Sequence, residues 1–424
     1  MGACGGALRI VWKSYTLVKP VVFPDMLRCT AMGREREEVR SFHGFSTMHG
    51  WPFVLVHFLH ALPQTMRIDG DRLHIPIGIS KEQTVSHFPK RSFIAGVGRY
   101  LPERVVTSRE IEEKLELKHR LKVPENLIEM FTGVKERRYV EDGVQSSDLA
   151  LWAAQQALER SGYKPEDLDV VIFSATTHDH MEPATACVLQ AKLGAKNAVV
   201  YDVKNACNSF VNGVDVMDSL IRTGKAKVGL VASGEVGSRF INWKIEDRKD
   251  LERKFAGLTV GDAGGAFVMT ASPDGERGIV NSHFFSDGTN WDLAIVEGGG
   301  TVAPRDPEKM YFLSESKKLV QLGITHVPRV FQEALEQTGW TMEDVDMHFT
   351  HQVSKMAVEK VAELLGEDTS KTLFTIVKYG NTASASIPVA VCEAYEQGML
   401  EPGMKVMLGG VASGFSAGFI SVIW

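Results

Sequence analysis

One stretch of this chain occurs twice, and that constrains its fold more than any other feature. Residues 157–170 read ALERSGYKPEDLDV and residues 334–347 read ALEQTGWTMEDVDM, 177 positions later. In each copy the pattern predicts a helix stopped by a glycine (Gly162, Gly339), then an acidic turn, then the start of an apolar strand. A second pair follows in the same order, Val231-Ala232-Ser233-Gly234 recurring as Val411-Ala412-Ser413-Gly414 at a spacing of 180. Generic βαβ similarity could supply either match alone. Two in order at nearly one spacing point to two copies of one α/β unit packed about a pseudo-dyad. Sites in open α/β sheets gather at the carboxyl ends of strands, so the strand ends of both halves should face a shared site.

The rest of the sequence sets bounds. At 424 residues and 44% hydrophobic the chain can bury a large core. A net charge of −6 gives no basic footprint for nucleic acid. The five cysteines (Cys4, Cys29, Cys187, Cys207, Cys392) are odd in number and scattered, which suits a reducing compartment better than a disulfide framework. No run reaches the roughly 18 apolar residues of a membrane span; the best candidate, Trp51 to Pro63, is short and carries His57 and His60. The N-terminus also lacks the order of a signal peptide, so a cytoplasmic location is expected. Residues 1–90 mix apolar patches with a charged burst at Arg34–Glu38 and show no sustained period. They read as an extension, with Met66 a sensible alternative start. From Arg91 onward strand and helix signals alternate to Trp424, which predicts α/β: a first half over 91–272 and a second over 273–424.

Three residues stand where strands give way to turns. Ala198–Val203 reads as a strand, Asn205–Ser209 as the turn after it, and Phe210, Val214, Met217 and Ile221 recur at helical spacing. Cys207 therefore sits at a helix N-terminus, where free N–H groups and the dipole favour a thiolate. By position it reads equally as a buried structural cysteine. His351 follows the strand Val345–Phe349, and the repeat spacing sets it opposite Ser174; a lone histidine is more often structural, and His348 is read so. Asn381 follows an expected strand, Leu373–Val377, and opens a run of very small residues before Pro388, in the first turn of a helix.

The strings containing these residues are NAC (205–207), THQ (350–352) and YGNTASASIP (379–388). With GVGRYLP (96–102), TGVKERR (132–138), GDAGGA (261–266) and GGVASGFSAG (409–418), they resemble the β-ketoacyl-ACP synthase III family over about residues 91 to 424. The resemblance implies a thiolase-like, five-layered α/β/α/β/α fold of two duplicated halves and a homodimer. It implies an enzyme that takes acyl-CoA or acyl carrier protein thioesters and uses no cofactor or metal. Cys207 would hold the acyl group, the amides of Cys207 and Ser413 would form an oxyanion hole, and His351 and Asn381 would stabilise the enolate of a malonyl-type thioester as neutral donors.

The chain departs from that family at several points. Ser354 stands where HQxN has asparagine, Lys355 is followed by Met356, and Leu127 and Phe131 occupy the positions of a Trp and an Arg that grip CoA. Glu182, 25 residues before Cys207, resembles the glutamate that head-to-head condensing enzymes of olefin biosynthesis place in a partner's site. It could serve as a base for an acyl-CoA lacking the malonyl carboxyl group, or be an ordinary loop carboxylate. The nearby His178-Asp179-His180 is too sparse for a metal site. Transfer of the acyl group to oxygen or nitrogen, a Cys-His-Asn hydrolase and a non-catalytic subunit are the competing readings. A degradative thiolase would need a second cysteine near the C-terminal glycines, and residues 409–418 have none.

Overall fold

A computed structural model describes the strands Arg67–Asp69 and Arg72–His74 and residues 91–424. The two short strands pair as an antiparallel hairpin, local order that the aperiodic sequence did not predict. Everything else expected of residues 1–90, including a start at Met66, lies outside the described residues.

In the body, the first half contributes β1 (Ser92–Tyr100), α1 (Ser146–Ser161), β2 (Val170–Phe173), α2 (Thr185–Leu193), β3 (Val199–Asp202), α3 (Ser209–Arg222), β4 (Val228–Val236) and β5 (Asp262–Ala271). The second contributes β6 (Gly278–Ser286), α4 (Ser316–Thr338), β7 (Met347–Thr350), α5 (Lys355–Leu365), α6 (Ser386–Glu396), β8 (Lys405–Ala412) and β9 (Ser416–Ile423). The first sheet has the order β1-β5-β4-β2-β3 and the second β6-β9-β8-β7. Parallel pairing joins Val170 to Gly229 in one and Met347 to Val406 in the other. Both pairs span 59 residues, and the two pairs are 177 apart. The duplication is therefore structural. Its helices end alike, with Gly162 and Gly339 both left-handed at φ +74° and +70°.

Two expectations need correction. The strand pairing places Val231 opposite Leu408, not Val411, so the 180-residue match of Val-Ala-Ser-Gly falls three residues out of register and is coincidental. The expected strand Leu373–Val377 does not form; Thr372 alone bridges to His348, and Ile376–Tyr379 is a short helix. The physical reason is Gln352. Its side-chain amide donates to Leu373 O (2.8 Å) and accepts from Ile376 N–H (3.1 Å), taking up backbone groups that a neighbouring strand would otherwise use. Helix α1 starts at Ser146, where the Asp148 carboxylate accepts from Gln145 N–H.

Five layers result. Helices α1 and α2 cover one face of the first sheet, α3 and α6 lie between the sheets, and α4 and α5 cover the second. Val170 and Ile172 point into the central core with Phe210, Val214, Phe349, Ile387 and Ile420, while Val171 and Phe173 point the other way, onto α1 and α2. A strand covered on both faces needs a continuous apolar run, and β2 (VVIF) is one. The edge strand β3 is the exception. Val199 is 65% exposed, and none of the strand is buried.

Candidate active site

The central helices α3 and α6 are each preceded by the same unusual turn. Ala206 and Ala383 both adopt φ +45°, left-handed backbone that costs a non-glycine residue about 1 kcal/mol or more. They are 177 residues apart. The residues that follow, Cys207 and Ser384, are thus related by the pseudo-dyad, as are Ser174 and His351 at the ends of β2 and β7. Around the dyad Ser384 Oγ contacts Ser174 O (3.2 Å), and the turn Ala383–Ala385 packs against α3 and β4. His351, through Ser386, and Asn381 both meet at Ala383, next to Ser384, the dyad mate of Cys207.

Cys207 is half-buried, two residues ahead of the first helical residue, Ser209. Its turn is tied by Ser209 Oγ, which donates to Ala206 O (2.6 Å) and accepts from Asn205 N–H (2.8 Å). The expected thiolate is not the resting form. Burial, with the Glu235 carboxylate nearby, pushes the Cys207 thiol up to about 12, and its own amide only partly opposes this. The helix terminus is too weak to win, since Cys207 precedes the cap instead of sitting in the first turn.

The glycine-rich hairpin joining β8 and β9 closes over this turn. Asn205 and Asn208 both donate through Nδ2 to Ser416 Oγ, at 3.2 and 3.5 Å. A β-carbon at Gly410 would come within 1.8 Å of Asn208 Oδ1, so glycine is required there. Ser413 lies in the tight turn of this hairpin, half-buried.

His351 is 5% exposed, and its N–H donates to Gly409 O (2.8 Å). Burial lowers its pKa to about 4, against a small opposing effect of the Ala383 carbonyl, so the ring is neutral near pH 7. Nδ1 lies 2.9 Å from Ser386 Oγ, and that hydroxyl donates to Ala383 O (2.8 Å). A hydroxyl has one hydrogen, so the arrangement satisfying both contacts puts the ring proton on Nδ1. Nε2 is left buried with no protein partner.

Asn381 is held at backbone level, its N–H donating to Thr259 O and its carbonyl accepting from Gly261 N–H (2.9 and 3.0 Å). Its Oδ1 accepts from Ala383 N–H (2.9 Å). This is the turn chemistry expected of asparagine, and it leaves the Nδ2 donors free of protein partners among the described residues. Ala383 thus orients both groups, Asn381 through its N–H and His351 through its carbonyl and Ser386.

The other sequence candidates fall outside this cluster. Glu182 is exposed, on the loop between β2 and α2, and makes no hydrogen bond or ion pair among the described residues. Ser354 caps α5, accepting from Ala357 N–H (3.1 Å), which accounts for a serine at that position. Leu127 is buried in a local core, whereas Phe131 is 54% exposed, edge-to-face with Phe255. With Met130, Val353 and Met356 also exposed, that face is apolar. His348 is structural as expected, buried with Glu367 3.1 Å from Nδ1. Cys392 lies on α6 beside Arg160 (3.0 Å), in a polar cluster with Glu396. Cys187, Cys207 and Cys392 are free thiols. No described helix is long and apolar enough to cross a membrane.

Known proteins resemble this chain in sequence and in shape. Profiles of 3-oxoacyl-[acyl-carrier-protein] synthase III and of its C-terminal region match residues 201–288 and 335–424. The β-ketoacyl-[acyl-carrier-protein] synthase III of Rhodospirillum centenum is 34% identical over 79% of this chain and 100% of its own, and that of Hyphomonas neptunium 33% over 78% and 98%. The chain belongs to the β-ketoacyl-[acyl-carrier-protein] synthase III family. It is a condensing enzyme with a thiolase-like fold, an acyltransferase of fatty acid biosynthesis that forms carbon–carbon bonds by Claisen condensation. Among solved structures, the synthase III of Aquifex aeolicus superposes with a TM-score of 0.69 at 30% identity, over 78% of this chain and 100% of that one. OleA of Xanthomonas campestris with bound cerulenin gives 0.72 at 25% identity, over 79% and 98%.

Three residues of the cluster were not singled out from sequence. Glu235 had a visible signal, a carboxylate inside an otherwise apolar strand. Ser384 follows from applying the 177-residue spacing to Cys207. Ser386 had no signal beyond belonging to a run of small residues.

Proposed function

We propose that Cys207 is the acyl-carrying nucleophile of this synthase III family member and that His351 and Asn381 handle the second thioester. The pairing of a half-buried cysteine in one strained turn with a buried, unpartnered His351 Nε2 and free Asn381 Nδ2 donors beside its dyad mate carries the reading. In acylation Cys207 sulfur attacks the donor's thioester carbonyl, the carbon–sulfur bond to the carrier breaks, and the thiol proton leaves with the carrier as its free thiol. Burial raises the Cys207 thiol and keeps the His351 ring neutral, which favours proton transfer that accompanies attack. The amides of Cys207 and Ser413 are the proposed donors to the oxyanion.

In condensation a malonyl-type thioester loses CO2, its α-carbon attacks the acyl carbonyl, and Cys207 is released. Asn381 donates through Nδ2 to the enolate oxygen. For His351 to donate through Nε2 as a neutral ring, its one proton moves from Nδ1 to Nε2 and Ser386 Oγ turns to donate to Nδ1. The proposed carriers are acyl-CoA and acyl carrier protein, and the apolar face around Phe131 argues against an arginine-type grip on CoA phosphates there. We also propose the two halves as 91–272 and 273–424, and a homodimer formed along β3, whose exposed edge is a ready pairing surface. Incubation with acyl-CoAs from acetyl to palmitoyl, followed by intact mass, tests the assignment. Acyl adducts should form on the native protein and vanish in Cys207→Ala; adducts that persist in the variant would remove Cys207 from the mechanism.

A further inference from the structure

Strand β4 runs through the centre of the first sheet and is buried along its whole length, yet it carries a carboxylate, Glu235, only 1% exposed. No cation pairs with it among the described residues. Its partners are neutral donors from both halves of the molecule. Thr176 N–H (2.7 Å), Thr177 N–H (3.0 Å) and Thr177 Oγ1 (3.0 Å) reach it from the loop after β2. Ser384 N–H (3.2 Å) and Ser384 Oγ reach it from the turn that leads into α6. Three of these five are backbone N–H groups, which can only donate, so the oxygens they reach are best served as a carboxylate. Burial raises the carboxyl's pKa, and these donors pull it back.

A buried charge without a counter-ion is expensive, but an amide would set its NH2 against one of these N–H donors, so only a carboxylate serves them all. The position of the charge supplies the reason. Glu235 grips the dyad mate of Cys207, in the turn whose Ala383 orients Asn381 and, through Ser386, His351. It also acts on Cys207 itself. We propose that Glu235 is a positioning residue for condensation: its carboxylate bolts the Asn381–Ser386 turn of the second half to the loop after β2 in the first.

The proposal rests on Cys207 being the nucleophile, so the test reads acylation of the thiol as well as turnover. Formation of the acyl adduct on Cys207, followed by intact mass, should stay within about twofold of native in Glu235→Gln, because the bolt holds the turn of the second half. Condensation should fall by about tenfold or more, with KM for the acyl donor little changed. A merely structural role would slow acylation and condensation alike. Acylation lost together with condensation, or condensation within about twofold of native, overturns the proposal. If Glu235→Gln does not fold, Ser384→Ala decides through the bolt, with turnover expected to fall several-fold and turnover within about twofold again overturning it. Absence of any acyl adduct on the native protein is a separate result that overturns the Cys207 assignment instead.

Discussion

The two halves of this molecule share a backbone and divide the work. Each places a strained alanine before the first residues of a central helix, Ala206 before Cys207 and Ala383 before Ser384. Each places a polar residue at the end of the matching strand, Ser174 in one and His351 in the other. In the first half the turn residue is half-buried and chemically competent. In the second it is fully buried and spent on hydrogen bonds to Glu235, while the histidine and asparagine around it keep free polar atoms. Duplication therefore supplied two equivalent geometries at one dyad, and divergence made one a nucleophile and the other a holder for the incoming thioester. The halves differ at their edges as well. The first keeps a full edge strand, β3; in the second Gln352 occupies the backbone groups that such a strand would use.

Substitutions can break or sharpen this contrast. Removing the nucleophile, Cys207→Ala, should lower condensation by about 10⁴-fold or more, measured as ketoacyl product per time. Moving a nucleophile to the mate position, Ser384→Cys, should yield no acyl adduct at residue 384, since that site is closed by Glu235 and Ser233; peptide mapping after acyl-CoA treatment checks this. Ser386→Ala frees the His351 ring from its Nδ1 anchor and should cost about tenfold in condensation while sparing acylation. Glu182→Gln should change decarboxylative condensation by less than about twofold, and a large loss would favour Glu182 as a base.

The buried histidine also predicts a pH signature. His351 has a folded pKa of about 4, below an unfolded value near 6.5. The fold prefers the neutral ring, so between about pH 6.5 and pH 4 the unfolded state binds the extra proton. This contribution to stability is present above about pH 6.5 and is lost as pH falls through that window, by roughly 3 kcal/mol. Denaturation of His351→Asn beside the native protein should therefore show the native protein losing ground to the variant as the pH is lowered from about 6.5 to about 4.

Much of this was legible in the sequence, for identifiable reasons. The duplication was readable because Gly162 and Gly339 stop equivalent helices and because β2 and β7 are short buried strands that demand apolar runs. Cys207 and His351 were readable because each follows a strand end, whereas Asn381 was readable from its small-residue turn, since a short helix and not a strand precedes it. The upward push on the Cys207 thiol was not, because it comes first from burial and then from Glu235, 28 residues further along the chain. The loss of the edge strand near residue 375 was hidden for a similar reason, since a side chain from 352 satisfies that backbone. The coincidental Val-Ala-Ser-Gly match shows the converse: a four-residue identity carries less than strand register.

The division of labour between the halves is tested most directly by an intact-mass time course on Asn381→Ala, first given an acyl-CoA the native protein accepts and then a malonyl thioester. The account predicts that the acyl adduct forms on Cys207 at close to the native rate and then persists, because the second half can no longer stabilise the enolate. An adduct that clears as fast as in the native protein, with ketoacyl product appearing, would contradict it.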